Sequence, residues 1–123
     1  MDLIQEIKSC LSRLFPIARS IAGPGNRESL RVLQEVVPLN ILEYPSGISV
    51  YDWVVPMEWE VRSAFIKNSC GELMVDFRQN NLYVVGFSQA AHQKMGLDDL
   101  ESHLHYLPDI PEDTILQWSD IID

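Results

Sequence analysis

The chain is short of basic residues, and the shortage is uneven. Residues 96–123 hold eight carboxylates and no lysine or arginine, whereas residues 1–35 hold five basic and four acidic side chains. With a formal net charge of −9, the composition argues against a nucleic-acid partner, because duplex binding draws its energy from Lys and Arg neutralising phosphates. The acidic end reads as a solvated tail or as a segment that covers a surface supplied elsewhere. Cysteine is scarce too. Cys10 and Cys70 share no CxxC spacing and sit in unrelated contexts, which reads as free thiols in a reducing cytosol, with a disulfide as the lesser alternative. No apolar run approaches the roughly 20 residues of a membrane span. The opening MDLIQEIKSCLSRLF carries charges too often to be the apolar region of a signal peptide. A cytoplasmic, non-membrane chain is the expectation.

What is present fits one domain, or one domain with a ragged end, in a chain of 123 residues. Ile4, Ile7, Leu11, Leu14, Ala18 and Ile21 recur at three- and four-residue steps, predicting an amphipathic helix over 2–22 that Pro16 ends or kinks near Phe15. AGPGN, residues 22–26, reads as a turn, with Asn26 as N-cap of a second helix that carries Leu30, Leu33, Val36 and Val37 inward and stops at Pro38. From Leu39 the period changes to short runs rich in Val, Ile and aromatics: NILEYP, ISVYDWVVP, WEVRSAFI, ELMVDF and NLYVVGF. Val50, Asp52 and Val54 alternate with Tyr51, Trp53 and Val55, as in a half-buried antiparallel strand. KNSCGEL reads as a hairpin loop. Leu97, Leu100, Leu104 and Leu107 predict a third helix stopped by Pro108, followed by a tail without a clear period. The fold class is therefore α+β: two N-terminal helices, a small antiparallel β domain of about five strands, one C-terminal helix and an irregular acidic tail.

The densest chemistry lies in VYDWVVPMEW, residues 50–59. Asp52, Trp53, Glu58 and Trp59 have two readings. In one, the tryptophans form a platform for a cation or peptide and the carboxylates bind an amino terminus. In the other, the tryptophans anchor the sheet and set its register, while Asp52 and Glu58 fix neighbouring backbone or line a shared edge. His103 and His105 have the HxH spacing of metal ligands only on a strand. On the helix that the leucines imply they point to nearly opposite sides. No HExxH, GxSxG, P-loop or GxGxxG pattern occurs, and GPG at 23–25 reads as a tight turn rather than an anion site. The residues by themselves describe an α+β domain with no self-contained active site.

The stretches LFPIARSIAGPGNRESLRVLQEVVPL, EYPSGISVYDWVVPMEWEVRSAFI, MVDFRQNNLYVVGFS and LESHLHYLPD resemble the start of the bacterial aminopeptidase-like proteins, whose pattern includes a long DWxVPxEW block. The resemblance spans roughly residues 14 to 110. It implies zinc aminopeptidases of several hundred residues. Residues 1–40 would belong to the helical opening of the peptidase body, 41–95 would form an inserted β-rich domain, and 96–123 would be a helix and acidic tail, truncated relative to the family. It also implies paired zinc ions held by His, Asp and Glu ligands in later segments, so this chain is expected to carry neither metal ligands nor catalytic residues and to be inactive alone. Tyr83 stands where the family usually has His, and after LPDIPE the chain departs from the family and stops, as a truncated, split or front-half product would.

Two functions follow as expectations. The first is the non-catalytic N-terminal portion of an aminopeptidase-like zinc metallopeptidase, shaping or covering a peptide site, with a missing catalytic body or a second copy as partner. The alternative is a free-standing peptide- or protein-binding module without enzymatic activity. Asp52, Trp53, Glu58, Trp59 and Tyr83 are the candidate binding residues in either case.

Overall fold

In the computed structural model the described residues are 2–116, with side chains described through Asp109. The α+β class is borne out. The chain divides into two units, Met1–Val61 and Arg62–Asp123.

In the first unit, α1 (Leu3–Leu14) and α2 (Pro24–Gln34) pack on each other. α1 ends two residues before Pro16, whose missing N–H and bulky ring cannot continue the ladder. It is therefore shorter than the apolar spacing predicts, and Ala18 and Ile21 lie in the connector. Arg13 forks onto Glu35 at 2.6 and 2.9 Å. Arg19 donates to the Leu14 carbonyl at the end of α1 and to the buried Ser29 hydroxyl of α2, at 2.9 and 3.0 Å. A cation at a helix C-terminus is well placed electrostatically.

α2 starts at Pro24 with Gly23 as its N-cap, so the expected cap at Asn26 is corrected. Proline suits the first helical position, where its absent N–H is not missed. Asn26 instead donates its side-chain amide to Ser20 O at 2.7 Å and closes the preceding turn. Val32 is the buried hydrophobic residue of α2, while Val36 and Val37, expected inward, lie beyond the helix end and are exposed.

β1 (Ser49–Val50) and β2 (Trp53–Val54) form an antiparallel hairpin with the register Ser49 to Val54 and Val50 to Trp53. The run expected as one strand is thus folded in half at Tyr51-Asp52. Tyr51 has φ 53°, a left-handed conformation that costs a non-glycine residue about 1–2 kcal/mol. NILEYP forms no strand.

The second unit is built of hairpins. β3 (Phe65–Lys67) pairs with β4 (Leu73–Asp76) through the expected KNSCGEL loop. Asn68 organises that loop: its Oδ1 accepts from Cys70 N at 3.0 Å and Glu72 N at 2.9 Å, while Gly71 takes φ 83°. Residues 59–64, expected in the same strand as Phe65, are irregular. Asp76 is 6% exposed and holds the next turn, accepting Arg78 N at 3.0 Å and the Arg78 guanidinium at 2.6 Å. NLYVVGF, expected as a strand, opens instead with a 3-10 turn over Asn81–Tyr83, because Asn80 Oδ1 caps Leu82 N at 2.9 Å.

α3 (Leu97–Glu101) is a five-residue helix, and β5 (Leu104–Leu107) and β6 (Ile110–Leu116) follow as a third antiparallel hairpin. The helix expected to run to Pro108 is therefore corrected, and the tail expected as irregular is a strand as far as Leu116, its last residues, 117–123, lying outside the described ones. Pro108 sits in the hairpin turn, and Leu104 and Leu107 belong to a strand.

Gly25 is the tightest point of the fold: a β-carbon there would come within 1.8 Å of Ala18 O. Gly25→Ala should lower the urea midpoint of the chain by the equivalent of about 2 kcal/mol or more. Gly86→Ala, where a β-carbon meets nothing within 4 Å, should stay within about 0.5 kcal/mol of the parent in the same titration.

Candidate functional site

The segment that leaves the β1–β2 hairpin returns to the N-terminus of α2 and is clasped there. Trp59 N–H donates to Ala22 O at 3.0 Å. The Ser20 hydroxyl lies 2.7 Å from Ala22 O and 3.1 Å from Trp59 O, sharing one proton between two carbonyls. Gly23 makes the approach feasible, since a β-carbon there would stand 2.6 Å from Trp59 O. Alongside, Arg27 in the first turn of α2 forks onto Glu58, with its second contact at 3.0 Å.

This geometry separates the candidate residues. Glu58 is taken up by Arg27, and Trp59 is half-buried with its main chain fixed, so both hold backbone. Asp52 and Trp53 stand at the exposed hairpin tip. Tyr51 beside them is 101% exposed. Tyr83, at the end of the 3-10 turn, is half-buried in the second unit. The sequence reading overlooked Ser20, Gly23 and Arg27. Arg27 carried a signal: a cation in the first turn of a helix opposes the dipole and calls for a compensating anion.

Electrostatically the clasp is acid-sensitive. The hydrogen-bonded Arg27 guanidinium holds the Glu58 carboxyl below the usual carboxylate range, and Glu58 raises the Arg27 pKa in return. Arg13 depresses Glu35, and Arg78 depresses Asp76, in the same way.

A catalytic zinc needs three protein donors around an open position. Among the described residues no three His, Cys, Asp or Glu side chains converge. His92 is exposed, and His105 lies on β5 with His103 in the turn before it. The pair thus sits at a strand rather than on the expected helix, and among the described residues it is joined by no third donor. The described residues do not fit a zinc centre, and no described helix is long and apolar enough to cross a membrane.

An α+β chain whose DWxVPxEW block is braced on a helix N-terminus has counterparts among known proteins. Residues 58–119 match the model of a domain of unknown function, DUF2172, and the chain belongs to that family. It is 44% identical over 103 residues to a Clostridium acetobutylicum protein named for polysaccharide biosynthesis and an aminopeptidase-like domain, covering 84% of this chain and 24% of that one. A crystal structure of a peptidase-named protein from Clostridium acetobutylicum superposes with a TM-score of 0.80 at 43% identity, covering 85% of this chain and 25% of that one. The chain therefore spans about a quarter of the length of these relatives. The family match begins at Glu58, so its first two residues are the ones clasped by Ser20, Gly23 and Arg27.

Because the folded-state pKa of Glu58 is depressed, its stabilising contribution is present above the unfolded value and is lost as pH falls through the folded one. A carbon-detected NMR titration should place the Glu58 midpoint below the ordinary value of about 4.3. Arg27→Gln should move it back up, and an unchanged midpoint would show that the ion pair does not form in solution.

Proposed function

We propose that this chain acts as the non-catalytic N-terminal portion of an aminopeptidase-like zinc metallopeptidase, shaping or covering a peptide site in the larger assembly. The observation that carries the reading is the unmet apolar stripe of α1. Arg13 reaches Glu35 at the end of α2, and Cys10 and Leu14 are half-buried, yet Leu3, Ile4, Ile7 and Leu11 remain 50–67% exposed. Burying such side chains is worth about 1.5–3 kcal/mol each, so the stripe offers on the order of 5 kcal/mol to a covering surface. Monomeric soluble proteins seldom leave such a stripe open. The length of the relatives, four times the matched part, supports a missing body as the cover. In this reading zinc belongs to that body, and the assembly works in the cytoplasm.

A second reading, a free-standing peptide- or protein-binding module, is favoured by the hairpin tip. Tyr51, Trp53 and Met57 are exposed aromatic or thioether side chains. In the stretch 40–61 they sit among four carboxylates and no lysine or arginine. Tyr83 and Asp52 would contribute to the peptide-facing surface in either reading.

Two measurements test the first reading. The purified chain with zinc or cobalt should release no N-terminal amino acid from a leucyl anilide, and clear turnover would overturn it. Mixed with the remaining three-quarters of the Clostridium acetobutylicum relative, the chain should co-elute in size exclusion. Leu11→Asp should weaken that association by about tenfold or more. Association unchanged by Leu11→Asp would remove α1 from the interface.

A further inference from the structure

We propose that residues 40–58 form a movable arm, latched at the N-terminus of α2 by the Arg27–Glu58 pair, which opens while the two helices stay folded. The arm leaves α2 and comes back to it. At its start Gln34, the last residue of α2, donates its side-chain amide to Leu39 O at 3.0 Å. At its end stand the Arg27–Glu58 fork and the Trp59–Ala22 main-chain pairing. Between these two anchors β1 and β2 pack on each other and make no substantial packing with either helix.

The interior of the arm gives little reason for permanence. Its strands are two residues long, and an isolated two-stranded hairpin is marginal in water. Leu42, Tyr44, Tyr51, Trp53, Val54 and Met57 are exposed along it. Segments with few buried apolar contacts and solvent-facing hydrogen bonds open first, at free energies well below that of global unfolding. The helices have independent ties, Arg13 to Glu35 and Arg19 to both Leu14 and Ser29, and none of these involves the arm.

The catch itself is built to release. Both of its charged partners are substantially solvent-exposed, so the pair is weak and screened by salt. The tip it controls is the Tyr51 turn, where a left-handed backbone holds an exposed aromatic, and strain of that kind clusters at ligand clamps and switch regions. Opening would swing Tyr51, Asp52 and Trp53 as one body toward or away from a ligand. The inference stands whether or not the chain serves a peptidase body.

Hydrogen exchange of the full chain at neutral pH tests it. Glu58→Gln, nearly isosteric, should raise exchange of the amides at 46–59 by about two- to fivefold and leave those at 31–34 in α2 unchanged. The charge swap Arg27→Glu with Glu58→Arg should bring the arm back to within about twofold of the parent. In the unaltered chain, raising NaCl from about 20 mM to about 0.5 M should speed exchange of the arm alone. Arm and helix amides rising together would show a single cooperative unit and overturn the proposal. An arm indifferent to Glu58→Gln and to salt, or a swap that fails to restore protection, would overturn the ionic catch.

Discussion

The first unit depends on two backbones coming closer than any side chain would allow. At Gly25 the connector after α1 lies directly on the first turn of α2, and at Gly23 the Trp59 carbonyl does the same from another direction. The sequence between them is a single proline, which fixes φ where the helix begins. Glycine at both positions is thus a packing requirement imposed by backbone carbonyl oxygens, of which the Trp59 one is also held by the Ser20 hydroxyl. Once the turn is that tight, Ser20, Asn26 and Arg27 fall within reach of carbonyls and a carboxylate that would otherwise face water.

The remainder is held by local polar devices rather than by a deep core. Val32 is the buried hydrophobic side chain among the described residues, and the buried polar ones, Ser29 and Asp76, are each bonded to an arginine. Buried oxygens with partners cost little, whereas buried oxygens without them cost several times more. Asn68, Asp76 and Asn80 each tie their own side chain to a backbone amide two residues on. Such Asx turns specify hairpin ends without needing a large apolar interior. A domain so constructed keeps its local shapes while large apolar side chains stay exposed.

The two N-terminal helices, the stop before Pro16 and the KNSCGEL hairpin were legible in the sequence because each rests on residues within a few positions of one another, whereas GPG, expected as a turn, supplies the N-cap and the first two residues of α2. The fold of residues 48–55 was not. Alternation through Val50, Tyr51, Asp52 and Trp53 describes a straight strand and a two-residue hairpin equally well, and no glycine or asparagine marks Tyr51 as the left-handed residue. A straight strand would put Val50 and Trp53 on opposite faces, whereas the hairpin pairs them on one. The end of the chain failed for a related reason. Leu97, Leu100, Leu104 and Leu107 fit a helical period, but Leu104 and His105 find partners at Leu116 and Ile115, and that pairing overrides local spacing. At the site, the identities of Glu58 and Trp59 were visible while their work was not, because Arg27 lies 31 positions away from Glu58.

The family boundary adds a physical point to this. A pattern that begins at Glu58 marks where the DUF2172 match starts, yet the forces on Glu58 and Trp59 come from Ser20, Ala22, Gly23 and Arg27. The start of the matched segment is thus held by residues that lie outside it. Three of the four act through a side chain or the lack of one, and Ala22 acts through its main-chain carbonyl alone. A DWxVPxEW block is then best understood as two halves with different duties. Asp52-Trp53 is presented outward on a strained tip, and Glu58-Trp59 is tied inward. Proline and valine between them carry no side chain able to compete for the anchoring carbonyls. One short block thus joins an end anchored on α2 to an exposed aromatic end.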